Sequence, residues 1–405
     1  MKVGKRLSYF SYREDYLYWR LIHSLLIEGY RILNISDDQT EIWLEHFNNR
    51  KIPTIRIKRY DIDWTNWLRQ DIKQTCMNGE MIRKRFFKKK LDCLNVYISA
   101  YPPVDSYEDL FNRSFQLDKS KTSVRNFLIA GSHISDSIVQ LANIFGKDLI
   151  GPIKQQYEPY EIDVVRNNCI QQIKLLEKKE KKLLKQTKPF FTYIFLVIQI
   201  VVFLLMEFAG GTLNPEVLVA FGAKFNPFIL AGEWWRFITP IFIHIGMIHL
   251  LFNSLALYYL GTMVEGIYGK IRFLIIYLFA GFLGTVGSFV FNYNISAGAS
   301  GAIFGLFGAL LYFGIIHKRT FFRTMGVNII GLIVINLSLG FVAPGIDNAG
   351  HIGGLIGGFL AAGIVHLPKE RKSDKRIAFF IIALLLTVGS LYYGFTYPKL
   401  PPLIY

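Results

Sequence analysis

Seven apolar runs in the second part of the chain, each close to the length that spans a bilayer, constrain the fold more than any other feature. A backbone in lipid must satisfy its own hydrogen bonds, so runs of this length are predicted to be transmembrane helices. The sequence therefore predicts a polytopic α-helical membrane protein. The runs cover residues 189–209, 245–264, 271–292, 299–316, 324–342, 350–366 and 377–397.

The chain before the first run has a different composition. Residues 1–188 contain 33 Lys plus Arg and 23 Asp plus Glu, against 13 and 7 in residues 189–405. Alternating helical and strand patterns there predict a small soluble α/β domain, and no cleaved signal peptide is expected. We expect four segments: a cytosolic α/β domain (1–157), an amphipathic linker helix (158–188), a core of six transmembrane helices (189–370), and a seventh transmembrane helix with an external C-terminus (371–405).

The predicted elements of the soluble domain follow from periodicity and turn signals. Its three cysteines are odd in number and lack CxxC spacing, which favours reduced thiols in the cytosol. The predicted helices are 16–28, 63–89 and 136–145, the strands are 41–47, 54–57, 94–100 and 123–130, and a further helix covers 160–185.

The loops predict the orientation, because Lys and Arg concentrate on the cytoplasmic side of a membrane protein. Cations occupy the connections 270–272, 318–323 and 369–376, whereas 292–298 and 343–350 hold none. The N-terminal domain is therefore expected in the cytosol. The net charge of +16 follows from the same bias, so no nucleic-acid partner is predicted. The basic run Arg83 to Lys90 could bind anionic lipid or polyanions, although a solvated helix face is the favoured interpretation.

Three polar positions interrupt the apolar runs at the side predicted to be external. Ser300 opens the fourth run, His351 opens the sixth, and His249 with Asn253 lies early in the second. A serine hydroxyl becomes a nucleophile when a base, usually histidine, takes its proton. His249 and Asn253 are four residues apart, so they share a helix face and can both donate to an oxyanion. These positions predict a serine nucleophile, Ser300, with His351 as its base.

Glycine spacing supports a close approach of the fourth and sixth runs. Gly301 and Gly305 on one, and Gly350, Gly354 and Gly358 on the other, recur every four residues, which lets helix backbones meet in lipid. Asp347 could complete a triad, but a two-residue arrangement is favoured. Glu265 is interpreted as a structural acid, and no HExxH zinc motif is present in the sequence.

Together these motifs resemble the rhomboid family of intramembrane serine proteases over about residues 185–370. The resemblance is carried by Trp235-Arg236, the segment His249 to Asn253, the segment Gly298 to Gly301 and the segment Gly350 to Gly354. It implies a six-helix core, a Ser300–His351 dyad, and an oxyanion hole made by His249, Asn253 and the Ser300 amide. Supporting roles are implied for Trp235, Arg236, Gly298, Gly301, Phe304 and His244.

Phe304 stands where several bacterial members have tyrosine, and it keeps a ring that can stack on His351. The resemblance further implies transmembrane protein substrates in a bacterial plasma membrane, a lateral gate at the fifth span, and neither cofactor nor metal.

Two alternatives to a protease were weighed. A catalytically inactive relative that binds or escorts membrane proteins is the main one, and a transporter is disfavoured because no charged relay crosses the spans. For the N-terminal domain, a cytosolic ligand, a divalent ion or a protein partner stays open, although His23 and His46 show no ligand spacing. A nuclease-like interpretation of Glu41, Glu45 and the strand 54–58 is weaker still.

Overall fold

The computed structural model describes residues 12–86, 88–343, 345–368 and 375–400. Its contacts divide the chain between Lys179 and Glu180 into two compact units, which we call the amino-terminal unit and the helical unit. The division falls inside one long helix, α5 (Pro159–Leu184), which occupies the segment predicted as the linker helix.

The amino-terminal unit is an α/β domain with one five-stranded sheet in the order β1-β2-β3-β4-β5. The first three strands are antiparallel, whereas β3, β4 and β5 run parallel to one another. The strands are β1 (Arg31–Ile35), β2 (Glu41–Glu45), β3 (Thr54–Arg59), β4 (Leu91–Ser99) and β5 (Thr122–Ala130), and the helices are α1 (Tyr12–Ile27), α2 (Thr65–Arg85), α3 (Asp109–Asn112) and α4 (Ile134–Phe145).

Two layers of helix cover the sheet. One face packs against α1, α4 and α5, with Leu21, Ile57, Leu141 and Cys169 in a common core. The other face packs against α2 through Cys76 and Cys93. The α/β class is thus confirmed, and all three cysteines of the chain are free thiols that lie buried in this unit.

The helical unit places a helix on each of the seven predicted runs. Five of its described helices, counting α9 and α10 as one continuous span, are long and apolar enough to cross a membrane. The pair α13–α14 bends by 72°, and α12 is a shorter apolar helix. The spans are α6 (Phe191–Phe208), α9 (Met247–Ala256) continuing through a π-helical turn (Leu257–Gly261) into α10 (Thr262–Tyr268), α11 (Lys270–Phe291), α12 (Ser300–Ile316), α13 (Lys318–Thr324) with α14 (Gly326–Val342), α15 (Asn348–Val365) and α16 (Lys375–Thr396); the loop after α6 holds α7 (Pro215–Ala220) and α8 (Asn226–Leu230).

Glycine allows α12 and α15 to pack backbone against backbone. A Cβ placed on Gly354 would lie 1.9 Å from the carbonyl oxygen of Gly301, and one on Gly358 would lie 1.9 Å from that of Gly305. Such distances are far inside van der Waals contact, so only glycine fits. The predicted approach of these two helices is confirmed.

Glu265 has a structural role, as predicted. It is fully buried on α10, and its carboxylate accepts hydrogen bonds from the backbone amides of Phe190, Phe191 and Thr192 at 2.8–3.0 Å. These amides begin α6 and have no partner within their own helix. Glu265 therefore caps the first transmembrane helix with a favourable negative charge.

Candidate active site

The first turns of α9, α12 and α15 meet at one end of the helical unit. Ser300 is the first residue of α12, and His351 lies in the first turn of α15. A Cβ placed on Gly298, just before α12, would lie 2.7 Å from the imidazole of His249 on α9. Gly298 has φ +131°, which favours glycine, so the chain enters α12 directly against this imidazole.

His351 faces the side of α12 that carries Ser300. Its ring stacks on Phe304 with a centroid distance of 4.2 Å and an interplanar angle of 9°, the predicted stack. Phe304 lies one helical turn after Ser300, so both side chains project from the same face of α12. Ser300 and His351 are both half-buried, so part of each residue remains accessible from outside the helix bundle.

Three of the four residues before Ser300 are fixed by hydrogen bonds to different parts of the long loop after α6. The Gly298 amide donates to the carbonyl of Pro240 at 2.9 Å, and the Ala299 amide donates to Nε2 of His244 at 3.4 Å. Ser296 exchanges two backbone hydrogen bonds with Lys224, at 2.9 and 3.1 Å. The main chain that delivers Ser300 is therefore anchored on two sides, which pre-positions the serine amide.

Lys224 is a structural residue of this site that the sequence did not reveal. Its side chain is fully buried, and its ammonium donates to the carbonyl oxygens of Asn292 and Asn294, the latter at 3.0 Å. A buried ammonium needs such acceptors to offset its desolvation. The signal in the sequence is weak, because Lys224 is one of two cations, with Arg236, in the long loop after the first span.

Asp347 caps α15, and no hydrogen bond joins it to Nδ1 of His351 in the described part of the chain. One carboxylate oxygen accepts from the Gly350 amide at 3.1 Å, and the other accepts from the Ser296 hydroxyl at 2.9 Å. Within the described part of the chain, Nδ1 of His351 is buried and has no hydrogen-bond partner. The acid thus joins the helix of His351 to the segment that precedes Ser300.

His249 and Asn253, one helical turn apart on α9, each carry a donor hydrogen that is not used within the described part of the chain. Nδ1 of His249 accepts from the Ile245 amide at 3.4 Å, which assigns the proton to Nε2, the nitrogen beside Gly298. Asn253 uses one amide hydrogen on the His249 carbonyl at 3.0 Å and keeps the second for another acceptor.

Comparison with known proteins shows the family to which the chain belongs. Residues 231–368 match the family model for the Rhomboid domain. The chain is 40% identical to Rhomboid protease GluP of Bacillus subtilis (strain 168) over 389 residues, covering 95% of this chain and 76% of that protein. The chain belongs to the rhomboid family. It is also 30% identical to Rhomboid protease AarA of Providencia stuartii over 211 residues, 45% of this chain and 74% of that protein. With the Putative rhomboid protease YdcA of Bacillus subtilis (strain 168) it shares 38% identity over 151 residues, 36% of this chain and 75% of that protein.

This rhomboid is accordingly a multi-pass membrane protein and a serine intramembrane protease. Among the three relatives just named, the similarity to GluP extends over nearly the whole chain, including most of the amino-terminal unit. The other two similarities cover less than half of the chain.

Arg236 holds the long loop of the rhomboid between α6 and α9, whereas its neighbour Trp235 does not contribute to these contacts. The Arg236 side chain is only 4% exposed and donates to the carbonyls of Val219 and Ala223 at 2.8 and 2.9 Å, and to Glu233. Trp235 is 44% exposed and lies on the surface of the loop. Arg236 therefore stabilises the fold of the loop that also supplies Lys224.

The described part of the amino-terminal unit contains no group of three or more His, Cys, Asp and Glu that could hold a metal ion. Nδ1 of His46 accepts the Asn49 amide, as in a turn. Glu41 and Asp71 come together, but both bind Arg56, at 2.7 and 2.6 Å. An arginine at this position neutralises the carboxylates, which disfavours a nuclease-like metal centre.

Proposed function

We propose that Ser300 and His351 form the catalytic dyad of this intramembrane protease, and that His249, Asn253 and the Ser300 amide form its oxyanion hole. The observation that carries the proposal is the stack of His351 on Phe304, one turn from Ser300, beside the glycine contact of α12 and α15. The imidazole of His351 and the alcohol of Ser300 therefore lie on neighbouring helices, each in the first turn, which supports their pairing.

The reaction follows from these positions. The Ser300 hydroxyl attacks the scissile carbonyl while the His351 imidazole takes its proton, giving a tetrahedral oxyanion. Donors from His249, Asn253 and the Ser300 amide stabilise that charge, and the amide is aided by the start of α12. His351 then protonates the leaving amine, and water hydrolyses the acyl-enzyme by the same route. The unpartnered Nδ1 of His351 and the engaged carboxylate of Asp347 support a dyad rather than a triad.

We propose transmembrane segments as substrates, entering beside α14. The buried residues of α14 are Gly326, Ile329 and Ile333, all in its first half. Its second half ends at the same end of the unit where α15 begins, and therefore near Ser300. A weakly packed helix end beside the site supports lateral entry of a substrate helix, because few contacts must break for it to move.

We propose that the protein resides in a bacterial plasma membrane, with the dyad near the external side and the amino-terminal unit in the cytosol. The distribution of cations among the loops supports this orientation. A membrane-impermeant maleimide should label a Tyr293→Cys variant in intact cells and leave a Lys318→Cys variant unlabelled. The reverse pattern would refute the orientation.

The decisive experiment for the dyad is Ser300→Ala in a purified full-length chain, assayed on a helical reporter substrate and with a fluorophosphonate that labels activated serines. We expect loss of both cleavage and labelling. Ser338→Ala is the matched control, since Ser338 is an exposed serine on α14.

Retained cleavage in Ser300→Ala would refute the assignment of the nucleophile. A wild-type chain that neither cleaves nor labels would instead favour an inactive membrane-protein binder. Thermal unfolding of both variants shows whether each is folded.

A further inference from the structure

In the amino-terminal unit, positive charges collect at the edge of the sheet where the parallel strands begin, and negative charges collect where they end. Because β3, β4 and β5 run parallel, the segments that enter them meet at one edge, which we call the basic edge. These three entering segments, residues 45–53, 80–92 and 116–123, contain ten Lys or Arg and four Asp or Glu. The ten cations are Arg50, Lys51, Arg83, Lys84, Arg85, Lys88, Lys89, Lys90, Lys119 and Lys121.

The opposite edge carries the opposite charge. The segments that leave the same strands, residues 60–64, 100–109 and 131–136, contain six Asp or Glu and neither Lys nor Arg. The basic run at the end of α2 supplies six of the ten cations at an edge that is built by three separate connections.

The cations of the basic edge are available to a ligand. Three of its four acids are already paired, Glu80 with Arg83 at 2.7 Å, Asp92 with Lys90 at 3.7 Å and Glu45 with Lys88 at 4.0 Å. By contrast, Arg50, Lys51, Lys89 and Lys119 are exposed and make no ion pair within the described part of the chain.

A cavity of about 290 Å³ opens at the same edge. Lys51 and Arg125 supply cationic donors to its lining, Ser114 and Ser123 supply hydroxyls, and Asp92 adds a carboxylate. Such a set suits a single phosphate group, since guanidinium and hydroxyl donors both bind phosphate oxygens.

The covalent link to the first transmembrane helix indicates which polyanion the basic edge binds. The amino-terminal unit ends at Lys179 and the first transmembrane helix begins at Phe191, so eleven residues tether the unit to the bilayer. The connecting segment 178–188 is itself rich in Lys, which supports its position at an anionic membrane surface. Anionic lipid is thus the polyanion held permanently at high local concentration.

We propose that the basic edge of the amino-terminal unit binds anionic phospholipid headgroups of the bilayer that holds the helical unit. Each Lys or Arg near such a surface strengthens binding by about fivefold, so a net excess of cations gives firm, salt-sensitive binding. The acidic edge is repelled from the same surface. The inference rests on the proposed cytosolic position of the unit, and it does not depend on the catalytic assignment.

The test is amide hydrogen exchange of the full-length chain in nanodiscs of phosphatidylcholine, with or without phosphatidylglycerol. We expect segments 46–53 and 116–123 to gain protection only with phosphatidylglycerol. They should lose this protection at high salt, because salt shortens the range of the electrostatic attraction. Segment 100–109 at the acidic edge should not change. A double variant, Lys89→Gln with Lys119→Gln, should lower the ratio of bound to unbound unit by about 25-fold.

The matched control is Arg69→Gln with Lys73→Gln, which removes two exposed cations of α2 from outside the entering segments. Equal protection in both kinds of nanodisc, or an equal loss in both double variants, would overturn the proposal. Inorganic phosphate and a duplex oligonucleotide are added separately to phosphatidylcholine nanodiscs. Protection by either one, without protection by phosphatidylglycerol, would assign the edge to that ligand instead. Because the readout is not cleavage, a failure here is distinct from a failure of the Ser300 assignment.

Discussion

Asn253 and Asn336 make the same hydrogen bond within their helices, so a comparison of the two separates this bond from any role that only Asn253 has. Each side-chain amide donates to the carbonyl one turn earlier in its own helix, at 3.0 Å for Asn253 and 2.8 Å for Asn336. Asn253 is buried beside His249, whereas Asn336 is exposed on α14. If Asn253 also donates to the oxyanion, its loss must cost more than a helical side-chain bond.

We predict that Asn253→Ala lowers kcat for reporter cleavage by about 10²–10³-fold, the usual effect of removing one oxyanion donor. The KM should change little, because the bond forms in the transition state. Asn336→Ala should retain wild-type kcat. Steady-state kinetics in detergent or nanodiscs check both values, and an equal loss in the two variants would reduce Asn253 to a helix-stabilising residue.

Residue chemistry explains what the sequence could and could not predict about the site. Ser300, His351, His249 and Asn253 could be proposed from the sequence because catalysis by a serine needs an alcohol, a base and donors, and few polar residues interrupt the apolar runs. Lys224 was missed because its burial depends on where a distant loop leaves its carbonyls. No local pattern encodes that contact.

The contact of α12 and α15 depends on glycine, and a single methyl group should disrupt it. We predict that Gly358→Ala lowers the free energy of unfolding of the helical unit by about 1–3 kcal/mol. The added Cβ would meet the backbone of α12 and not a movable side chain. Cleavage should fall with it, since the displaced helix carries His351.

Gly331→Ala on α14 is the matched control. A Cβ there has no heavy atom within 4 Å, and alanine favours a helix over glycine. Thermal unfolding of the two variants in one detergent compares them directly. Equal stability would show that α12 and α15 can separate without loss, and the proposed dyad would then lack its scaffold.

Whole elements were predicted with unequal success for a physical reason. A transmembrane helix is specified by the length of its apolar run, so each predicted span coincides with a described helix to within a few residues. Strand β1 (Arg31–Ile35) was missed because it is an edge strand that is only partly buried and carries an irregular register between Ile32 and Asn34. Its alternation is therefore weak, and pairing with β2 determines it.

At the scale of the whole molecule, two units fold by different forces. The long helices of the helical unit have the length and apolar composition that span a bilayer. The amino-terminal unit instead buries a network of charged side chains in its core. Arg56 on β3 is 2% exposed and binds Glu41, Asp71 and Asn95. Burial alone would raise the pKa of the Glu41 and Asp71 carboxyls, but hydrogen bonds and charge from Arg56 hold both pKa values below their usual range.

We predict that Arg56→Leu destabilises the amino-terminal unit by about 3–5 kcal/mol at pH 7, because two largely buried carboxylates lose their main partner. Amide exchange in β3, β4 and β5 should accelerate, while α12 and α15 keep their protection. Arg69→Leu, which alters an exposed arginine of α2, serves as the control and should leave both units unchanged. Joint loss of protection in both units would contradict their separate stability.

The destabilisation caused by Arg56→Leu should depend on pH, whereas the destabilisation caused by a general packing defect should not. In the intact chain the folded carboxyl pKa values lie below the unfolded ones, so their stabilisation is present above about pH 4 and is lost as pH falls through the folded values. Without Arg56, burial dominates and raises the folded pKa values above about 4, so protonation below them restores stability. The variant should therefore lie closer to the intact chain at pH 5 than at pH 7. A gap that is equal at both pH values would mean that lost packing, and not unpaired charge, causes the destabilisation.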